Sequence, residues 1–578
     1  MAESTFGKDG SIGRGLNRRA FLRSAAAGGV GATAFLAGCR SATPAQPGAA
    51  APGGAGSSPA ASSLGLFQVA EGKRGGTITD MATEPTTGFD PHATSASQSN
   101  QVFEAMHIKL IRHDYRKGYK TGADALIGEL AAKWESPDPL TYNFVLRKGV
   151  NWPDQEPMKG RPITAQDVKY SFDHALLPTS QVQEYVYGNI ASVTAVDDGS
   201  LTIKLKQPNL FFPSDVDSLN SMILPKGIYE WAGGDIKGAD KVRGGGPWML
   251  EEYRANSVIR FTANETYRKV FGVPYFDRLN MAIIATGAPR LQAFVAKNTD
   301  FFNPAAGQLE SAKKARPDAR VVDDAFPASG GTSVSINRKE KPFDDLRVRR
   351  AMSMAIDREG WGKALQVPYK WECGPISWGY PEWKVDPAQM PAEVAKWLKS
   401  DVAEAKKLMD AAGYKSNAEI PLNYYPYSPD YTPLGQFIID SFGKIGLNLK
   451  PRIHEYNNWL ATVFIGKYNG LMHNPDSSID RPSPQFADRL RKGSARNHSF
   501  IEDDETQKLL KDFWGARSIE EAKAVGVKIQ TRSVDDVFSV YGPMGVAPHF
   551  WDPSVQNYEG QWAFNHQYAY KDAYYWRT

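Results

Sequence analysis

From Gly75 onward the chain switches between two hydrophobic rhythms. Gly75-Gly76-Thr77-Ile78-Thr79 opens like a strand, and Thr141–Leu146 and Leu201–Leu205 alternate apolar and polar residues with period two, as half-buried strands do. Asp198-Gly199, between Val196 and Leu201, is a hairpin turn signal. Thr164-Ala165-Gln166-Asp167 reads as an N-cap ahead of a helix whose apolar face holds Val168, Phe172 and Ala175. Three further stripes follow the 3.6-residue period. Val348, Ala351, Met352, Ala355 and Ile356 come after Asp344. Val402, Ala405, Leu408, Met409 and Ala412 come after Asp401, with Gly413 at the stop position. Leu434, Phe437, Ile438, Ser441, Phe442 and Ile445 form the third, ended by Gly446. Strands at 422–425 and 447–453 follow the last two helices, which predicts an α/β lobe with a largely parallel sheet. No internal repeat is visible.

Ahead of Gly75 the texture is different. Asn17-Arg18-Arg19-Ala20-Phe21-Leu22-Arg23 precedes a run of small and apolar residues that ends in Leu36-Ala37-Gly38-Cys39. The twin arginines resemble the export signal that carries folded proteins, and the last four residues resemble a lipobox. The apolar run is too short to span a bilayer and reads as a signal-peptide core. These features predict a signal over residues 1–38, with Arg18 and Arg19 carrying the export address and Cys39 the lipid. Residues 39–74 are dominated by Ala, Pro, Gly and Ser, too poor in large apolar side chains to offset ordering entropy. They predict a flexible tether with a reach of roughly 30 Å.

Composition narrows the rest. The chain has 578 residues, enough for several domain-sized units, and a formal net charge of +4, part of which leaves with the signal. That balance gives no footing for nucleic-acid binding. An abundance of aromatics (14 Trp, 25 Tyr and 27 Phe) excludes a disordered, collagen-like or coiled-coil chain. Of the 2 Cys, Cys39 is assigned to the lipid, so Cys373 has no disulfide partner and reads as a packed thiol.

Chemical motifs are sparse. Ser311-Ala312-Lys313-Lys314 matches S-x-x-K, so a Ser311/Lys314 cell-envelope hydrolase is one reading, although no K-T-G partner is present. There is no G-x-S-x-G, H-E-x-x-H or C-x-x-C. Arg243-Gly244-Gly245-Gly246-Pro247-Trp248 is glycine-rich but lacks the Lys-Ser/Thr of a phosphate loop. His92, His107 and His113 do not share a helical face, so no metal site and no cofactor are predicted.

The stretch from Lys341-Pro342-Phe343-Asp344-Asp345 through Ala355-Ile356-Asp357-Arg358, preceded by Asn337, resembles the signature helix of family 5 extracellular solute-binding proteins of ABC importers, the dipeptide, oligopeptide and nickel-binding group. Phe89-Asp90-Pro91-His92, Leu130–Trp134, Tyr142–Phe144 with Trp152, Thr164–Val168, Gly245–Trp248, Asn264–Tyr267, Ala403–Leu408 and Gly413-Tyr414 continue the resemblance in family order. It implies a type II periplasmic-binding-protein clamshell of cluster C, α/β in class, with an extra small domain. Lobe I would combine residues 75–114, 191–284 and 535–578, the extra domain 115–190, and lobe II 285–534. The implied function is a non-enzymatic, monomeric, extracytoplasmic receptor that closes about a hinge on a peptide-like ligand and presents it to a membrane permease. An oligosaccharide or other small solute is the alternative ligand.

Within that frame, Trp371, Trp378, Tyr380 and Trp383 surround a Gly/Pro-rich loop, and Tyr424-Tyr425-Pro426-Tyr427 ends a strand. Trp378 and Tyr427 are the aromatics expected to line a pocket, with Trp248 either packing or touching ligand. Peptide-binding relatives place an Asp in a Gly-Trp-x-x-Asp-Tyr stretch against the ligand's amino terminus. The corresponding stretch here, Gly470 to Asp480, lacks the Trp and offers Asp476 or Asp480 as counterpart, with His473 and Asn474 suited to hydroxyl-rich ligands.

Overall fold

Lobe I and the small domain are built first along the chain. The computed structural model describes residues 72–82, 86–94, 97–113, 126–182, 187–217, 221–305, 307–322, 331–366, 368–371, 373–376, 382–426, 431–476, 483, 486, 489–546, 548–559 and 571–578. The signal, residues 39–71 of the tether, Trp378, Tyr380, Tyr427 and Asp480 lie outside the described residues. Strand β1 (Thr77–Ala82) is followed by β2 (Ile111–His113) and β3 (Leu126–Gly128), which pair with each other. Next come β4 (Ala131–Asp138), β5 (Thr141–Leu146), β6 (Ile190–Asp197) and β7 (Ser200–Leu205), which form an antiparallel sheet in the order β4-β5-β7-β6. Asp198-Gly199 makes the β6–β7 turn as its sequence predicts. Helix Ala165–Ala175 carries Val168, Phe172 and Ala175 into the core, and the Asp167 carboxylate accepts from the Thr164 N–H at 2.9 Å.

Strands β8 (Trp248–Arg254), β9 (Val258–Ala263) and β10 (Arg278–Ile283) complete the lobe I sheet, β1-β10-β9-β8, with β1 parallel to β10. One continuous core joins this sheet to the small domain through Ile78, Phe261 and Leu279 on one side and Trp152, Phe172 and Ile203 on the other. The glycine-rich loop before β8 explains its composition. A Cβ on Gly244 would sit 2.0 Å from the Met106 carbonyl oxygen, and one on Gly246 would sit 2.8 Å from the same peptide group.

Lobe II is reached through β11 (Phe301–Phe302) and β12 (Arg320–Val322). Its sheet comprises β13 (Gly331–Ile336), β14 (Tyr369–Trp371), β15 (Glu419–Tyr424), β16 (Asn448–Ile453), β17 (Leu471–Asp476) and β18 (Ser539–Gly545), in the order β14-β18-β13-β17-β15-β16. The chain then returns through β19 (His549–Trp551), which pairs with both β11 and β12, and ends with β20 (Val555–Gln556) against β21 (Trp576–Arg577). The sheet is mixed, which corrects the largely parallel expectation. Only β17–β15 and β15–β16 are parallel, because β13 enters from the far end and runs antiparallel to both of its neighbours.

The three predicted amphipathic helices form at Leu346–Ala355, Val402–Ala411 and Tyr431–Gly443, and bury Met352, Met409, Leu434 and Ile438 against Val334, Leu422 and Leu471. The first is capped by Asp345, with the carboxylate accepting from the Arg347 N–H at 2.8 Å. Asp401 caps the second from the Glu404 N–H at 2.9 Å. Gly413 and Gly446 hold the left-handed stop conformation, at φ 70° and 87°.

Strand pairing divides the chain differently from the sequence-based cuts. β11 and β12, inside the expected lobe II segment 285–534, pair with β19 beside lobe I, and Asp300 N–H donates to the Thr79 carbonyl of β1. β18, inside the expected lobe I tail 535–578, is an interior strand of the lobe II sheet. β6 and β7 carry the small-domain sheet past residue 190 to Leu205. The chain thus passes between the lobes twice, from β12 to β13 and from β18 to β19.

Candidate functional site

Register brings one edge of the lobe II sheet to the two crossovers. Gly331, the first residue of β13, lies opposite Asp476 of β17 and Met544 of β18, and Gly545 lies opposite Tyr369 of β14. β15 runs parallel to β17, so Tyr424 and Tyr425 finish at the same edge. This is the carboxyl edge of β15, β17 and β18, where α/β sheets present groups to ligands.

His473 and Asn474, adjacent on β17, point to opposite faces. His473 is completely buried, stacked on Tyr431 (ring centroids 4.9 Å apart) and tilted against Tyr424 at 6.0 Å. Neither of its ring nitrogens has a hydrogen-bond partner. Burial pushes its pKa down to about 3, so the imidazole is neutral. Asn474 is buried too. Its Nδ2 lies 3.4 Å from His498 Nδ1, and its Oδ1 has no partner. His498 Nε2 is 2.8 Å from the Phe464 carbonyl oxygen, which makes Nε2 the protonated nitrogen and Nδ1 the acceptor for Asn474. Burial holds His498 down as well, at about 4. Asn423 of β15 donates to the Asn469 and Leu471 carbonyls and accepts from His454 Nε2 at 3.0 Å. The edge therefore carries a layer of neutral donors and acceptors. Unpaired buried groups such as those of His473 and Asn474 each cost about 1–3 kcal/mol unless something polar meets them.

The aromatic loop is held at its base. Cys373 Sγ donates to the Val385 carbonyl at 2.9 Å, and Gln530 bridges the Val385 N–H and the Trp383 carbonyl. Ile376 and Trp383 are buried in a satellite core with Phe486, Phe513 and Phe538, so Trp383 is a packing residue. Asp476 lies on β17 at the edge.

Trp248 is a correction. It is fully buried in the lobe I core at the start of β8, which leaves it no surface for a ligand. Ser311 and Lys314 lie exposed on helix Leu309–Ala315, without a desolvating pocket to activate either group. His92 and His107 are buried in lobe I, and no cluster of three or more His, Cys, Asp or Glu among the described residues is gathered for a metal. His498, Asn423 and His454 were not legible as site residues, because only the pairing of β15 with β17 and the loop packing bring them together.

Two α/β lobes joined by paired crossover segments, with a small antiparallel domain on the first lobe, define a type II periplasmic binding protein of cluster C. The comparisons with known proteins then give the family. The model of the bacterial extracellular solute-binding proteins, family 5, matches residues 125–497, and the chain belongs to that family. It is similar to the dipeptide-binding protein of Escherichia coli K12, 28% identical over 454 residues, covering 74% of this chain and 80% of the relative. Di/tripeptide-binding protein 3 of Pseudomonas aeruginosa is 26% identical over 412 residues, covering 67% and 72%. Among solved structures, AgaA of A. tumefacien R10 with agropinic acid superposes at a TM-score of 0.74, with 19% identity over 87% of this chain and 99% of that one. The oligopeptide-binding AppA of Bacillus subtilis with a nonapeptide superposes at 0.70, with 20% identity over 88% and 100%. Members of this family are extracytoplasmic, non-enzymatic binding proteins, so the chain is a solute receptor and the Ser311/Lys314 hydrolase is set aside. Among the described residues no helix is long and apolar enough to cross a membrane.

Proposed function

We propose that this chain is a lipid-anchored receptor that captures a peptide-like solute between its lobes and delivers it, by hinge closure, to an ABC permease. The observation that carries the reading is the carboxyl edge of the lobe II sheet, where β15, β17 and β18 end together and Asn474 holds an unpartnered amide oxygen two residues before Asp476. A peptide backbone supplies amide donors and carbonyl acceptors that suit such groups. The peptide-binding relatives support the class of ligand. Trp378 and Tyr427 would add aromatic faces, and Asp476 or Asp480 a carboxylate for an amino terminus. Cys39 would carry the lipid, after export directed by Arg18 and Arg19, and the protein would act as a monomer.

The neutrality of the Asn474–His498 pair favours a second reading, a hydroxyl-rich solute such as an oligosaccharide. One experiment separates the two. The mature protein, purified from its own host and denatured, releases its ligand for mass spectrometry. Released peptides support the first reading and released glycans the second. Asn474→Leu should abolish retention of either while the variant still unfolds cooperatively. Full retention would remove this edge from the site.

A further inference from the structure

Between the small domain and the second lobe, one loop contributes a side chain to each of two cores. After β7 the chain turns at Asn209, whose carbonyl accepts from Tyr142 Oη at 2.8 Å and whose Oδ1 accepts from the Phe211 N–H at 3.0 Å. This fixes two consecutive phenylalanines in opposite directions. Phe212 enters the lobe I core, 4.8 Å from the Tyr142 ring. Phe211 leaves it and enters lobe II, where it stacks on Phe513 (4.9 Å, 14° between planes) and meets Trp383 edge-on at 5.6 Å. The Leu210 N–H donates to the Trp514 carbonyl at 3.1 Å. Phe513 and Trp514 end helix Asp504–Trp514, and Trp383 closes the aromatic loop whose other end is Cys373. The contact joins the lobes at a place the two crossover segments do not supply.

We propose that Leu210 and Phe211 form a closure latch: they dock into lobe II against Trp383, Phe513 and Trp514 when the clamshell shuts, and release when it opens. The proposal rests on the hinge-closure reading above. Its physical content is a population shift, since a contact made only in the closed state raises the closed fraction before any ligand arrives. An aromatic stack of this kind is worth up to about a tenfold shift in that equilibrium.

The test uses the mature protein stripped of ligand, with no added solute, followed by small-angle scattering. Phe211→Ala should be measurably more expanded than the native protein. Phe212→Ala, which removes an equally large ring from the lobe I core, should lower the thermal midpoint without changing compactness. A Leu210→Cys, Trp514→Cys pair, at backbones that touch through the amide-to-carbonyl hydrogen bond, should crosslink on oxidation. Its oxidised form should be compact and its reduced form expanded. Phe211→Ala as compact as native protein, while the reduced and oxidised pair differ, would overturn the latch and leave hinge motion standing. Identical scattering for all of them would overturn hinge closure and the latch with it.

Discussion

Cys373 Sγ lies 2.9 Å from the carbonyl oxygen of Val385, so that a buried thiol closes the base of the loop on which the sequence places Trp378 and Tyr380. The thiol therefore acts as a hydrogen-bond donor in a tight site. Cys373→Ala should destabilise the protein by about 1 kcal/mol and increase amide exchange across residues 373–385, whereas Cys373→Ser should keep the loop protected. The native thiol should resist alkylation until the protein unfolds. Rapid labelling of native protein would show that the loop base is open.

Gly246 lies against Met106, with its N–H 2.8 Å from the Met106 carbonyl oxygen. A methyl group there meets backbone atoms, which cannot rotate away. Gly246→Ala should cost roughly 2–4 kcal/mol in denaturant unfolding without changing ligand class. A neutral result would mean that the loop before Trp248 shifts freely.

Buried neutral histidines should make the receptor acid-labile. Burial holds His92, His107 and His473 down to about 3 and His498 to about 4, and leaves His549 well below its usual value. With the folded pKa depressed below an unfolded value near 6.5, the unfolded chain takes up protons first as pH falls. Stability should therefore drop from about pH 6.5 downward, by up to about 1.4 kcal/mol per pH unit for each histidine. Glu129, Asp300 and Asp572, which burial pushes upward, oppose this, because their contribution is present at low pH and lost as pH rises. Denaturant midpoints between pH 7.5 and 5 check the net slope. His473→Phe, which preserves the stack on Tyr431, should flatten it by one histidine. A stability independent of pH in that range would contradict the account.

The anchor is tested in the cell. Cys39→Ser should release the processed body from the membrane or leave the precursor uncleaved, and Arg18→Lys with Arg19→Lys should block export of folded protein. Unchanged membrane extraction and processing in the first variant, or normal export in the second, would contradict the respective assignment.

Much of the fold was legible because it is local. The period-two run Thr141–Leu146, the Asp198-Gly199 turn, the Asp401 cap and the Gly413 stop each depend on neighbours within a few residues, and each forms where the residues require it. The site was legible only in part. His473 and Asn474 were found from their place after Gly470, but whether a side chain faces a core or an edge depends on strand order.

By itself the sequence determined the α/β class, the amphipathic helices and the family motifs, since these reside in short-range spacing and composition. Tertiary structure decided what long-range pairing controls. It made β13 antiparallel to both neighbours, set β18 inside the lobe II sheet, buried Trp248, and paired Asn474 with His498. It also sent Phe211 and Phe212 to different lobes. The two residues are the same to any local rule, and only the packing available on either side of Asn209 separates them.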